Sequence, residues 1–216
     1  MEEILDNIIK EKGIISDFFP TLTKAQQAHF NALGDLYTYW NASINVISRK
    51  DLPHLYQRHI LHSIALAKIL SFEKEATILD LGTGGGFPGI PLAILFPDTQ
   101  FHLVDSRGKK IKVVKAVSNA LGLKNVTPLA QRAETLTTRY DFVLSRAVAK
   151  TKQLYAWTHD KLKTKHRHKL PNGLVCWKGG DISGEIAAIP LAHKVYKLEK
   201  ILPFSFFKDK MIVHFF

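Results

Sequence analysis

The sequence is poor in cysteine and in acidic residues, and it contains no long apolar run. Cys176 is the only cysteine among 216 residues, which excludes an intrachain disulfide or a site of several thiolates and fits a reducing compartment. Because Cys176 lies in the apolar run 174–177, we interpret it as a small buried hydrophobic residue rather than a reactive thiol. No apolar stretch approaches the roughly 20 residues that span a bilayer, and the acidic start Met1-Glu2-Glu3 is unlike a signal peptide. We therefore expect a cytoplasmic protein with no membrane contact.

The shortage of acids leaves 19 Asp and Glu against 30 Lys and Arg, a formal net charge of +11. Such a balance indicates either a polyanionic partner such as nucleic acid or only a solvated surface. The charge is most concentrated in residues 159–169, which hold one acid against five Lys or Arg and three His. Two interpretations stay open for this run, a solvated helix end with its loop or a phosphate-contacting patch. The patch would consist of Lys161, Lys163, Lys165, Arg167 and Lys169.

Apolar periodicity divides the chain into a helical first third and a part in which strands and helices alternate. Helical spacing recurs in residues 4–15, 24–44 and 58–70, and no strand pattern precedes residue 76. Beyond it, short apolar runs predict strands at 77–81, 101–104, 125–130, 140–144 and 173–178. This alternation predicts an α/β fold, a Rossmann-like, mostly parallel sheet with helices on both faces.

The ends of the chain complete this predicted fold. The last apolar runs, 194–202 and 211–216, predict an antiparallel C-terminal hairpin at the sheet edge. Residues 1–72 form an N-terminal helical extension on a core of residues 73–216. The length suits a single domain over residues 1–216, and we expect a monomer.

A glycine-rich run follows the first predicted strand and opens a helix. Gly84, Gly86 and Gly89 satisfy the G-x-G-x-x-G pattern, and Asp105 ends the next strand nineteen residues after Gly86. Glycines there allow a sharp turn and close approach to a ligand, and an acid about 20 residues further on is typical of ribose binding. The spacing therefore predicts a nucleoside-bearing cofactor without naming it.

Two neighbours of the glycines favour S-adenosylmethionine over NAD. Asp80 precedes them, giving Asp-x-Gly-x-Gly-x-Gly over residues 80–86. We interpret its carboxylate as repelling a pyrophosphate and suiting an ammonium or sulfonium group. Pro88 removes a backbone N–H near the helix start, which weakens that helix end as a pyrophosphate site.

The sequence also resembles a known family, the bacterial 16S rRNA guanine-N7 methyltransferases (the RsmG or GidB family). The most specific match is Thr83-Gly84-Gly85-Gly86-Phe87-Pro88-Gly89-Ile90-Pro91. Shorter matches are Trp40-Asn41-Ala42-Ser43-Ile44-Asn45-Val46, Arg58-His59-Ile60-Leu61-His62-Ser63, Val104-Asp105-Ser106, Arg132-Ala133-Glu134, Ser145-Arg146-Ala147 and Lys178-Gly179. The family usually has an aspartate where this chain has His62, which leaves the role of that position open.

The resemblance implies a class I methyltransferase fold and methylation of a guanine in the 530 loop of small-subunit rRNA. By matched position it implies a cofactor pocket that includes Gly82, Phe87, Asp105, Ala133, Glu134 and Arg146, to which the glycine pattern adds Gly84 and Gly86. The implied partner is 16S rRNA or the small ribosomal subunit. We expect no metal, because no His, Cys, Asp or Glu grouping has convincing ligand spacing.

The chemistry of guanine N7 explains why no catalytic base is predicted. N7 carries a free lone pair, so the reaction needs alignment with the methyl donor rather than proton removal. Arg146 is always protonated, and we assign it to orientation, through guanine O6, a phosphate or a cofactor carboxylate. A structural ion pair with Asp141 or Glu134 is the alternative.

Other residues and other functions stay open. Arg58 and His59 precede the sheet and would reach RNA phosphate, although His59 suits a semi-buried structural position equally. Since N7 is inaccessible in the deep groove of an A-form helix, the target must be a loop or flipped nucleotide. The alternatives are a class I methyltransferase with another acceptor and a non-catalytic RNA-binding module.

Overall fold

The computed structural model describes residues 2–216, which begin with three helices. These are α1 (Glu2–Glu11), α2 (Ile14–Phe18) and α3 (Lys24–Ser43). A capping box starts α3: the Thr23 hydroxyl accepts from the Gln26 N–H, and the Gln26 side chain accepts from the Thr23 N–H. One face of α3 buries Phe30, Leu33 and Tyr37 at helical spacing.

A second helical segment, residues 52–68, precedes the sheet and changes its winding along its length. A 3₁₀ turn (Leu52–His54) leads into a π-helical stretch (Leu55–Leu61). One α-helical turn, α4 (His62–Ile64), and a last 3₁₀ turn (Ala65–Lys68) follow. The sequence predicted a helix over 58–70; the segment starts earlier because Pro53 suits the first turn of a helix, where its missing N–H is not needed.

Seven strands form one sheet in the order β3-β2-β1-β4-β5-β7-β6. Their bounds are β1 (Thr77–Leu81), β2 (Gln100–Asp105), β3 (Val126–Ala130), β4 (Phe142–Arg146), β5 (Gly173–Gly179), β6 (His193–Lys197) and β7 (Lys210–Phe215). The first five strands are parallel, and β7 runs antiparallel to both β5 and β6. The predicted mostly parallel sheet with a C-terminal antiparallel hairpin is confirmed.

Helices cover both faces of the sheet, as the sequence predicted. They are α5 (Gly89–Leu95), α6 (Gly108–Ala120), α7 (Thr151–Thr158) and α8 (Ser183–Ala187). Successive residues of β1 point to opposite faces: Ile78 belongs to the core cluster with α5, α6 and the N-terminal helices, and Leu79 to the cluster with α7. Cys176 lies in this second cluster and is fully buried, which confirms the packing interpretation; burial raises the pKa of its thiol to about 12.

The largest shifts from the predicted strands have local causes. β4 begins at Phe142 rather than at residue 140, because Tyr140 makes only an isolated bridge to Leu162. Strand β6 ends at Lys197, where a 3₁₀ turn (Leu198–Lys200) buries Leu198. Within residues 2–216, no helix combines the length and apolar character that crossing a bilayer requires.

Candidate functional site

The site lies at the carboxyl ends of β1, β2 and β4. The chain passes from β1 to β2 on one side and reaches β4 on the other, so a crevice opens where the strand order reverses. Open α/β sheets bind ligands at such a switch point. Three adjoining cavities occupy this end of the sheet.

The first cavity, of about 420 Å³, lies between the glycine loop and the ends of β2 and β3. Its walls include Gly82, Asp105, Ala133 and Glu134, four of the residues that the resemblance assigns to the cofactor. Ala133 is buried and Glu134 is exposed. The structure therefore brings the glycine loop, the acid that ends β2 and the Ala133–Thr135 turn around one space.

The second cavity, of about 500 Å³, lies between β4, β5 and α7. It is lined by Ser145, Arg146, Leu154, Trp177 and Lys178, among others.

The third cavity, of about 340 Å³, lies between the glycine loop and the 52–68 segment. Its walls include Arg58, His59, Gly84, Phe87 and Arg146. Ala147 lines all three cavities. In the sequence, Ala147 is only the last residue of the short match Ser145-Arg146-Ala147, and no periodicity indicates that it would border three cavities.

The backbone of the glycine loop adopts conformations that side chains disfavour. Gly82, Gly84 and Gly86 have φ values of 69°, 58° and 103°, in the left-handed region that glycine tolerates. A Cβ at Gly82 would overlap the side chain of Val148. Gly86 borders none of the three cavities, and a Cβ there would lie 2.5 Å from the Ile90 side chain. Gly86 is therefore needed for the backbone conformation of the turn rather than as part of a cavity wall.

The Asp105 carboxylate is held in place by hydrogen bonds and can still accept further hydrogen bonds from a ligand. It is 8% exposed; Oδ1 accepts from the Arg107 N–H at 2.8 Å and Oδ2 from the Gly84 N–H at 3.0 Å. Since each carboxylate oxygen has two lone-pair positions, one per oxygen remains for a ligand hydroxyl. This geometry suits the two hydroxyls of a ribose.

Asp80 has a different role from the one its sequence position suggested. It is fully buried, and Oδ2 accepts from the Thr83 hydroxyl at 2.6 Å and from the Gly89 N–H at 2.8 Å. Burial raises its pKa to about 6. Asp80 borders none of the three cavities, so the interpretation that it faces a cationic ligand was wrong. It ties the glycine loop to the start of α5.

The N-terminal extension holds the glycine loop from the other side. The Tyr37 hydroxyl donates to the Gly85 carbonyl at 2.7 Å, and its ring lies 4.7 Å from the Phe87 ring. The Trp177 indole N–H donates to the His62 carbonyl at 2.8 Å. From the sequence, Tyr37 is only one residue within the helical spacing of residues 24–44, because its contacts with Gly85 and Phe87 join parts of the chain about fifty residues apart.

Arg146 lies at the centre of the site, and its partners differ from both predicted ion pairs. Its Nη1 donates to the Arg58 carbonyl at 3.4 Å, and its Nη2 lies 3.2 Å from His59 Nδ1. The guanidinium carbon lies 5.3 Å from the centre of the Phe87 ring. Burial lowers the Arg146 pKa to about 10, opposed by the negative charge of Asp80, so the group stays cationic at neutral pH.

His59 is held neutral by its surroundings. Burial, followed by the charge of Arg146, lowers its pKa to about 3. Neutral Nδ1 can therefore accept the hydrogen bond from Arg146. Arg58 donates to Asp51 at 2.9 Å and is half-buried. The structure thus brings Arg146 into contact with the neighbouring residues Arg58 and His59, which precede it by almost ninety residues in the sequence.

The basic run 159–169 lies elsewhere, around Asp141 at the amino ends of β1 and β4. Asp141 is buried and accepts from the Thr77 N–H at 2.8 Å; Lys163 lies 3.0 Å and Arg167 3.7 Å from its carboxylate. Lys161 is 5% exposed and pairs with Asp160 at 3.1 Å. These contacts favour a structural role for Lys161 and Lys163. Of the five Lys and Arg residues in the run, Lys165, Arg167 and Lys169 are exposed.

Two solved methyltransferase structures of low sequence identity have folds similar to that of this chain. A TehB-like SAM-dependent methyltransferase from Corynebacterium glutamicum superposes with a TM-score of 0.56 at 15% identity, covering 85% of this chain and 97% of that one. A precorrin-6y C5,15-methyltransferase from Geobacter metallireducens gives 0.56 at 12% identity, covering 81% and 93%. The fold is thus that of class I SAM-dependent methyltransferases.

Sequence comparisons place the chain within one family. A family model described as rRNA small subunit methyltransferase G (GidB) matches residues 26–181. Ribosomal RNA small subunit methyltransferase G of Flavobacterium johnsoniae is 50% identical over 210 residues, 97% of each chain. The protein of the same name from Phocaeicola vulgatus is 50% identical over 203 residues, 93% of this chain and 96% of that one. The chain therefore belongs to the rRNA small subunit methyltransferase G family.

Proposed function

We propose that the protein transfers a methyl group from S-adenosylmethionine to N7 of a guanine in the 530 loop of 16S rRNA. The observation that carries this proposal is the meeting of the first and second cavities at Ala147 and Val148, beside the half-buried Arg146. One cavity suits a nucleoside and the other a base. Family membership supports the rRNA acceptor.

The first cavity fits the cofactor. Asp105 would accept from the ribose hydroxyls, and the backbone at Gly82 borders the same cavity, whereas Gly84 borders the third cavity and donates its N–H to Asp105. Ala133 and Glu134 would border the adenine. When bound, S-adenosylmethionine supplies a methyl group on a positively charged sulfur.

The second cavity would hold the guanine, and the chain's task there is orientation. N7 attacks through its own lone pair, so no side chain has to remove a proton. Arg146 would donate from its guanidinium edge to guanine O6, next to N7. Because the Phe87 ring lies against the guanidinium, the N–H groups rather than the cationic face remain for the base. Alignment of this kind contributes roughly 7–11 kcal/mol in favourable cases.

The RNA would approach from the carboxyl end of the sheet, where Arg58 and His59 line the third cavity. The target lies in a loop, since N7 of a paired guanine is out of reach. Lys165, Arg167 and Lys169 stay candidates for a second contact at the opposite end. We also propose that the protein is a monomer and acts in the cytoplasm, where its proposed substrate, the small ribosomal subunit, is assembled.

The test is methylation of small ribosomal subunits from cells that lack this protein, with methyl-labelled S-adenosylmethionine. We expect label in the 530-loop fragment, a large fall in kcat for Arg146→Lys, and no change for the exposed control Arg139→Lys. Label in another acceptor would favour a different methyltransferase. Absence of label, with cofactor binding intact, would favour a binding module.

A further inference from the structure

The connection between β6 and β7 carries an aromatic turn that the proposed reaction does not use. The 3₁₀ turn Ser205–Phe207 follows Phe204. Phe207 is fully buried and packs its ring 5.0 Å from Phe206 and 6.3 Å from Phe204. This anchor holds Phe206 in a defined place.

Phe206 lies half-buried in the wall of the third cavity. Its ring centre is 5.3 Å from the Arg58 guanidinium carbon and 5.6 Å from the Lys210 ammonium nitrogen. The His62 ring packs edge-on against it at 5.7 Å. An aromatic ring is thus placed among cations at the mouth of the site.

The mouths of the second and third cavities are electropositive. Six cations line them against two acids: Arg58, Lys110, Arg146, Lys150, Lys178 and Lys210 against Asp51 and Glu185. Both acids already pair with cations, Asp51 with Arg58 and Glu185 with Lys178. Lys210 also pairs, at 2.7 Å, with the exposed Asp209, which lines neither cavity. An anionic strand that crosses these mouths would therefore meet a net positive surface.

We propose that Phe206 is a stacking platform for an unpaired RNA base next to the methylated guanine, with Arg58 and Lys210 binding the adjoining phosphates. A fixed aromatic ring beside cations is the combination that single-stranded nucleic acid recognises, and loop RNA offers such unstacked bases. The proposal rests on the proposed function for the identity of the strand. It assigns RNA binding to a segment that the sequence marked only as a hairpin connection.

The test compares Phe206→Leu with Phe204→Leu, a matched change in the same connection. Phe204 packs on Phe18 and Phe207 and borders none of the three cavities. Affinity is measured by fluorescence anisotropy with a labelled 530-loop RNA oligonucleotide and S-adenosylhomocysteine present. We expect Phe206→Leu to weaken binding about tenfold, since stacking on one aromatic ring contributes about 1–3 kcal/mol. Phe204→Leu leaves affinity unchanged, and Phe206→Tyr retains it.

Equal RNA affinities for the two leucine variants would overturn the proposal that Phe206 stacks on an RNA base. The same conclusion would follow if the unaltered protein did not bind the oligonucleotide. S-adenosylhomocysteine affinity, measured by calorimetry, stays the same in all variants and separates RNA contact from damage to the fold. Methylation of subunits at a different nucleotide would contradict the proposed function alone, because the anisotropy comparison does not depend on methyl transfer.

Discussion

Replacing Asp105 should remove most of the affinity for S-adenosylmethionine. The carboxylate is held by two backbone N–H groups, from Gly84 and Arg107, and has one acceptor position per oxygen free. A hydrogen bond to a charged group contributes about 1.5–3 kcal/mol. Two ribose contacts therefore amount to about 3 kcal/mol at the lower limit, a loss of about 100-fold in Kd for Asp105→Ala. Asp105→Asn keeps one acceptor oxygen and should lose about tenfold.

Isothermal titration calorimetry measures these affinities directly. Asp181→Ala is the matched control, because exposed Asp181 also accepts from the N–H two residues ahead, that of Ser183 at 2.9 Å. We expect the control to bind like the unaltered protein. A Kd for Asp105→Ala within twofold of that value would refute the assignment of the first cavity to the cofactor.

Three further predictions concern the loop, its buried acid and the surface. Gly82→Ala should abolish cofactor binding in the same titration, because a Cβ overlaps Val148 and φ is +69°; normal binding would contradict the loop geometry. Since the folded-state pKa of Asp80 is raised from 3.8 to about 6, its contribution to stability is full below pH 3.8 and lost as pH rises through 6. In urea unfolding, the free energy of unfolding relative to Asp80→Asn should fall by about 3 kcal/mol across that window; a constant difference would contradict it. Neutralising Lys150 and Lys210 should lower the log–log salt slope of RNA binding by about 0.7 per lost phosphate contact. This decrease in slope should be larger than the decrease on neutralising Lys165 and Lys169. The reverse order would indicate that the RNA binds at the other end of the sheet.

The fold and the glycine-rich motif could be predicted from the sequence because each depends on residues that are close together along the chain. Alternating apolar runs and helical spacing located the parallel strands, and the distance from Gly86 to Asp105 marked a nucleoside site. These signals need only the residues of one βαβ unit. The family resemblance added Ala133, Glu134 and Arg146, and all three line the cavities.

What the sequence could not supply depends on contacts between distant segments. Asp80 has the same sequence context whether it faces a ligand or the Gly89 N–H, and only the packed loop decides. Lys161 looks like any other cation of its run, yet the fold buries it beside Asp160. The grouping of Phe206 with Arg58 needs residues from opposite ends of the chain. No pattern along the chain predicts such meetings.

Mass spectrometry of nuclease fragments of 16S rRNA tests the central claim most directly. The rRNA of cells that lack this protein should lose one 7-methylguanosine, in the 530 loop, and a plasmid copy should restore it. The Asp105→Ala form should fail to restore it. Retention of every 7-methylguanosine in the deficient cells would contradict the proposed function.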